Sequence, residues 1–112
     1  MKSYTDLKQS ENLSNILPLT SADMHYERAY FEGKQSDWFI ALGRPIKSDD
    51  IIPCWSLAAL LNVLPDYTLQ TNSDGTVFLV CDSKKPMISD AYNNPVDACY
   101  EMILKLYELK ML

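Results

Sequence analysis

The amino-acid sequence predicts an α+β fold: a small antiparallel sheet of about three to five strands, a buried short helix and a C-terminal helix packed on one face, and a short N-terminal helix. Three observations predict it. Residues 93–112 have a helical period and a readable start, the run between Pro53 and Pro65 is apolar on almost every side, and residues 67–81 read as strand, turn and strand. A helix whose circumference is mostly apolar needs a surface to lie on, and the sheet supplies it. At 112 residues the expected organisation is a single domain, residues 1–112, without internal repeats.

In chain order, Leu7, Leu13, Ile16 and Leu17 allow a short amphipathic helix over residues 5–17, with Thr5 as N-cap and Pro18 just past its end. The Ser/Thr-bearing residues 19–24 read as a turn or 3₁₀ piece. Residues 26–32 and 38–42 read as two strands joined by the polar turn Gly33-Lys34-Gln35-Ser36-Asp37. Residues 44–50 resemble a linker, yet are short enough to join elements within one domain. Residues 54–64 predict a buried helix bounded by prolines, with Ser56 and Asn62 its obvious solvent contacts. Residues 67–71 alternate apolar and polar, Asn72-Ser73-Asp74-Gly75 turns, and residues 76–81 return as a β-branched and aromatic strand. Lys84-Lys85-Pro86 marks a second turn, and residues 87–92 read as a third strand. For the last helix Asn94 is the N-cap, Pro95 stands where a missing N–H costs nothing, and Asp97 puts a carboxylate at N3. Val96, Cys99, Met102, Ile103, Leu106 and Leu109 share its apolar side, opposite a polar stripe of Asp97, Glu101, Lys105 and Glu108.

Fifteen acidic and ten basic residues give a formal charge of −5, which repels polyphosphate, so nucleic acid is not an expected partner. No stretch approaches the ~20 apolar residues that span a bilayer, and the first residues hold no continuous apolar run. A membrane is therefore not expected. Cys54, Cys81 and Cys99 are odd in number, widely spaced and set in apolar sequence, which fits a reducing, cytoplasmic setting.

Three blocks carry a resemblance: Ser21-Ala22-Asp23-Met24-His25-Tyr26; Ile52-Pro53-Cys54-Trp55-Ser56-Leu57-Ala58-Ala59-Leu60-Leu61 with Leu64-Pro65; and Asn94-Pro95-Val96-Asp97-Ala98-Cys99-Tyr100-Glu101-Met102-Ile103. In this order, over nearly the whole chain, they resemble a family of small uncharacterised proteins encoded by anaerobic gut bacteria and by their prophages and mobile elements. The resemblance implies a genomic setting, that of an intracellular bacterial or phage accessory protein, and brings no activity, cofactor or catalytic residue. Residues 27–50 match no pattern of that family.

One His and three Cys are formally enough for a zinc site, but His25, Cys54, Cys81 and Cys99 offer no close ligand pair, so no metal is expected and core packing accounts for the cysteines. Cys54 near a helix start, with His25 as base, is the one nucleophile reading, and no nucleophile motif surrounds it. Asp49, Asp50, Asp82 and Asp90 could cluster around a cation but read more simply as solvated turn acids. Gly33, Gly43 and Gly75 stand alone, so there is no phosphate loop, no cofactor is expected and no catalytic residue is assigned.

Interaction remains. Twelve aromatics are more than one small core readily uses, and Tyr and Trp favour interfaces. The expected function is a protein-interaction module, with Tyr26, Tyr30, Phe31 and Trp38 as its surface and a protein partner or a second copy as its target. The alternative is a small enzyme or ligand-binding domain using a groove between sheet and helices.

Overall fold

A computed structural model of the chain describes residues 2–81 and 86–112. In order these form α1 (Leu7–Ser14), a 3₁₀ turn (Leu19–Ser21), β1 (Met24–Glu27), β2 (Tyr30–Phe31), β3 (Lys34–Gln35), β4 (Phe39–Leu42), β5 (Ile51–Cys54), α2 (Leu57–Val63), β6 (Tyr67–Thr71), β7 (Val77–Cys81), β8 (Met87–Ile88) and α3 (Pro95–Glu108). The fold is α+β, with the short N-terminal and C-terminal helices in place. Its strands are divided among antiparallel sheets of order β4-β1-β5, β2-β3 and β6-β7-β8 rather than gathered in one. Just past β5 the chain is flanked by the N-terminal segment, where Tyr4 bridges Ser56, Thr5 N donates to Trp55 O at 3.0 Å and Leu57 N donates to Ser3 O at 3.1 Å.

Asp6 caps α1, not Thr5. Its carboxylate accepts from Gln9 N at 2.8 Å while Gln9 Oε1 accepts from Asp6 N at 3.1 Å, a reciprocal pair that satisfies two end donors at once. A second correction concerns residues 54–64. The helix there starts only at Leu57, because Ser56 accepts from Ala59 N as its N-cap, and residues 51–54 are extended instead. Pro53 is compatible with this strand because of the ladder's phase. Arg28 N donates to Asp50 O at 3.1 Å, which places the bonded pairs of β1 and β5 at Tyr26–Ile52 and Met24–Cys54. Pro53, opposite His25, therefore owes β1 no N–H, as a proline in an edge strand must.

β6 and β7 pair as the sequence predicts, from Tyr67 with Cys81 to Thr71 with Val77, and Gly75 takes the positive φ of +89° that their turn requires. β8 pairs Ile88 with Val80 and Met87 with Cys81, and Tyr92 then bridges Val77. Of the turn read at Lys84-Lys85-Pro86, the two lysines lie outside the described residues. Asn94 caps α3 by accepting from Asp97 N at 2.9 Å, with Pro95 first in the helix. Val96, Cys99, Met102, Ile103 and Leu106 are buried as their spacing predicts, whereas Leu109 falls beyond the helix and is half exposed. α3 lies against β7 and α2, and the core there joins Leu13, Trp55, Leu60, Leu79, Ile103 and Leu106. No described helix is long and apolar enough to cross a membrane.

Two polar nodes fasten the N-terminal segment. Asp97 accepts from Lys2 Nζ at 2.8 Å, Gln9 Nε2 at 2.9 Å and Asn94 Nδ2 at 2.8 Å, tying α1 to the start of α3. Burial pushes its carboxyl up, but those three hydrogen bonds and the Lys2 charge outweigh burial and hold it below the usual carboxylate range. Thr5, fully buried, is the second node. Its hydroxyl shares a 2.7 Å hydrogen bond with Ser10 Oγ and accepts from Trp55 N at 3.1 Å, and its carbonyl accepts from Tyr26 Oη at 2.8 Å.

Two expectations follow from these nodes. Thr5→Val keeps the shape but strips a partner from Trp55 N–H and the Ser10 hydroxyl, so chemical denaturation should show a loss of ~1–3 kcal/mol that Thr5→Ser largely avoids. Equal midpoints for all three proteins would show that the node adds nothing. Asp97 has a depressed folded pKa, so its contribution is present above the unfolded value of about 3.9 and is lost as pH falls through the folded one. The stability gap between wild type and Asp97→Asn should thus be widest near neutrality and close in acid; a gap independent of pH would contradict the assignment.

Candidate functional site

β1 and β4 form a hairpin that continues past a break into β2 and β3. Register fixes the break: Glu27 faces Phe39 and Tyr30 faces Gln35, so Arg28 and Ala29 on the outgoing limb oppose Ser36, Asp37 and Trp38 on the return. The extra residue is a bulge, which bends and twists the hairpin. Together with β5 the hairpin makes an arm, and the main hydrophobic cluster takes no residue between Ala22 and Trp55, the fully buried Cys54 lying at the arm's root. The molecule is accordingly long, 52 × 31 × 19 Å with a radius of gyration of 15.3 Å, where a compact chain of this length has about 13 Å.

The four residues singled out as a surface do different things. Tyr30 and Phe31 sit at the tip of the arm, 58% and 77% exposed. Trp38 is half-buried beneath Arg28, whose guanidinium lies 4.7 Å from the indole centroid while its Nε donates to Asp50 at 3.0 Å. Tyr26 is an anchor: its ring is partly covered, its hydroxyl is committed to Thr5 O, and burial pushes its phenol well above the ordinary value. Sequence reasoning missed the neighbouring aliphatic residues. Leu42 is 85% exposed and Ile46 68%, and Phe39 and Ile40 are also open. The available signal was the unbroken apolar run of residues 38–42, which has no polar face to turn to solvent.

The backbone of β4 matters as much as its side chains. β1 alternates its bonds between its neighbours, and since Met24 and Tyr26 bond β5, His25 and Glu27 bond Ala41 and Phe39. Ile40 and Leu42 therefore turn their N–H and C=O groups outward, on a side where no described strand pairs. The strand bears no charge and no proline, the usual devices that blunt an edge.

The other candidate chemistry disperses. Cys54 is fully buried on β5 and held by Thr5, and burial raises its thiol pKa, opposed by hydrogen bonds from Thr5 and Ser10; a nucleophile needs the reverse. Cys54 faces Met24 across the ladder, so His25, the next residue, points to the opposite face of the sheet, where its Nδ1 bonds Gly43 O at 2.9 Å. The two cannot act as a pair. Burial, followed by the neighbouring Cys81, pushes the Cys99 thiol up to about 12. Asp50 is taken by Arg28, and Asp82 lies outside the described residues. Among the described residues no three His, Cys, Asp or Glu are grouped to hold a metal ion.

Two grooves bear on the ligand-binding alternative. One of about 340 Å³ runs between the 3₁₀ turn and α2, lined by Ser21, Asp23, Arg44, Ala59 and Asn62, but Asp23 already accepts from both Ser56 N and Ser56 Oγ. Another, of about 280 Å³, lies between α3 and the segment that follows β8, with Ser89, Asp90, Tyr92, Glu101, Lys105 and Glu108 on its walls. The serine hydroxyl on each is already engaged: Ser21 Oγ donates to Pro18 O and accepts from Trp55 Nε1, and Ser89 Oγ accepts from Leu79 N and donates to Asp90 O. Compared with protein-family models, with curated proteins and with solved structures, the chain matches none of them.

Proposed function

We propose that the protein is a small interaction module, of the intracellular accessory kind that its sequence blocks resemble, and that it binds another polypeptide along the arm. The observation that carries this reading is β4: an uncharged apolar strand at a sheet edge, outside the core, with the outward N–H and C=O groups of Ile40 and Leu42 beside open side chains. An added strand would satisfy those groups, and Leu42, Phe39 and the tip residues Tyr30 and Phe31 would lose water contact as it docked. Backbone pairing supplies the geometry and the side chains supply selectivity. The charges nearby favour a polypeptide over a polyanion, because Glu27, Glu32 and Asp37 flank the aromatic residues.

The reading is tested by co-purifying polypeptides, including an untagged copy of the chain, on tagged wild type, Leu42→Glu and Phe31→Ala expressed in the same cells. Both positions are largely exposed, so their variants should melt within a degree or two of wild type, as surface changes within about 0.5 kcal/mol do. The bound polypeptide should be lost with Leu42→Glu and reduced with Phe31→Ala. Undiminished recovery on both variants would place the binding surface elsewhere.

A further inference from the structure

We propose that the polypeptide taken up by β4 is a second copy of this chain, paired antiparallel about a two-fold axis that passes at Ala41. The inference rests on the interaction reading above and adds the identity of the partner. A two-fold axis perpendicular to a sheet sets one residue opposite its own copy, so only registers centred on a residue are allowed. Within β4 the outward groups belong to Ile40 and Leu42. Centring on Ala41 faces each Ile40 with a Leu42 of the other copy and gives all of these groups a partner. Centring on Ile40 or on Leu42 leaves the other residue without a strand partner.

The side chains agree with that register. Ile40 and Leu42, the latter the most exposed large apolar side chain of the chain's described residues, cover each other on one face. On the other face the next pair outward is Phe39 with Gly43. Apart from Gly43 itself and its two chain neighbours, no atom lies within 4 Å of where a Cβ on Gly43 would stand, so there is open space for the second copy's ring. Charge favours the approach as well. Although the chain carries −5 overall, no acid lies between Asp37 and Asp49, where the charged residues are Arg44 and Lys47, so the edges of two copies meet without acid facing acid. The antiparallel direction also carries the tip of each arm toward the other copy's loop at Ile46, bringing exposed Phe31 toward another exposed apolar residue. A strand of four residues is a small interface by the standard of stable dimers, so the pairing is expected to be reversible.

Sedimentation velocity and register-specific cross-linking test the proposal together. Wild type should sediment at close to twice its 12.8 kDa mass at ~100 µM and dissociate on dilution, while Leu42→Glu stays monomeric throughout. In the proposed register Ala41 faces its own copy in a non-bonded pair, where Cα atoms lie about 4.5 Å apart, within reach of a disulfide. Ala41→Cys should therefore form an intermolecular disulfide under mild oxidation and Ile40→Cys should form far less, with buried Cys54, Cys81 and Cys99 silent in both. A dimer that Leu42→Glu leaves intact, or one that Ile40→Cys locks better than Ala41→Cys, overturns the proposed pairing. A monomer at every concentration overturns it too, and arm-dependent recovery of a different protein in the co-purification would then show that the broader reading survives it.

Discussion

The arm and the body of this protein meet at one buried threonine. Thr5 stands where the N-terminal segment runs beside Trp55, and its three polar atoms reach α1 through Ser10, β5 through Cys54 and Trp55, and β1 through Tyr26. A buried polar group is tolerated only when its partners are present, so the node forms as a set or is costly. Among the described residues every buried side-chain nitrogen and oxygen has a partner, the Thr5 hydroxyl included. Trp55 then passes the constraint into the core, its ring fully buried and its Nε1 donating to Ser21 at 2.9 Å.

With the root fixed, the two halves of the molecule divide their work. The body follows the ordinary economy of a small domain, α3 against β7 and α2, with apolar faces turned inward. The arm departs from it. Phe39, Ile40 and Leu42 stand open to water, and the extra residue at Ser36, Asp37 and Trp38 sets a bulge between β4 and the tip. Arg28 steadies the bend by covering Trp38 while bonding Asp50, so that the arm has a defined shape despite lying outside the core. A preformed edge binds with less ordering cost than a loop that must first take shape.

What the sequence disclosed and what it hid divide along the same line. α3 and the β6–β7 hairpin were legible because their signals are local: a cap, a proline and a carboxylate at fixed offsets for one, alternation around a glycine turn for the other. The strand at β5 was hidden by Pro53, whose acceptability depends on ladder phase and edge position, neither of which is a property of neighbouring residues. Thr5 was mistaken for a cap because Thr and Asp are both cap formers, and only the reciprocal bond with Gln9 distinguishes Asp6. Of the four aromatics read from the sequence as a surface, Tyr30 and Phe31 stand exposed at the tip of the arm. Tyr26 is bonded to Thr5 and Trp38 is covered by Arg28, while the place of Ile40 and Leu42 on the outer strand is a fact of topology that composition does not carry.

The central claim, that β4 is an edge waiting for a strand, is tested most directly by amide hydrogen exchange at Ile40 and Leu42 as protein concentration is raised. The account predicts that at low concentration these two amides exchange far faster than those of Phe39 and Ala41, which face β1, and that their protection then grows with concentration while that of the β6–β7 hairpin stays constant. Uniform protection along β4 at the lowest concentration, unchanged on concentrating, would mean that the edge is already satisfied within one chain and would contradict the account.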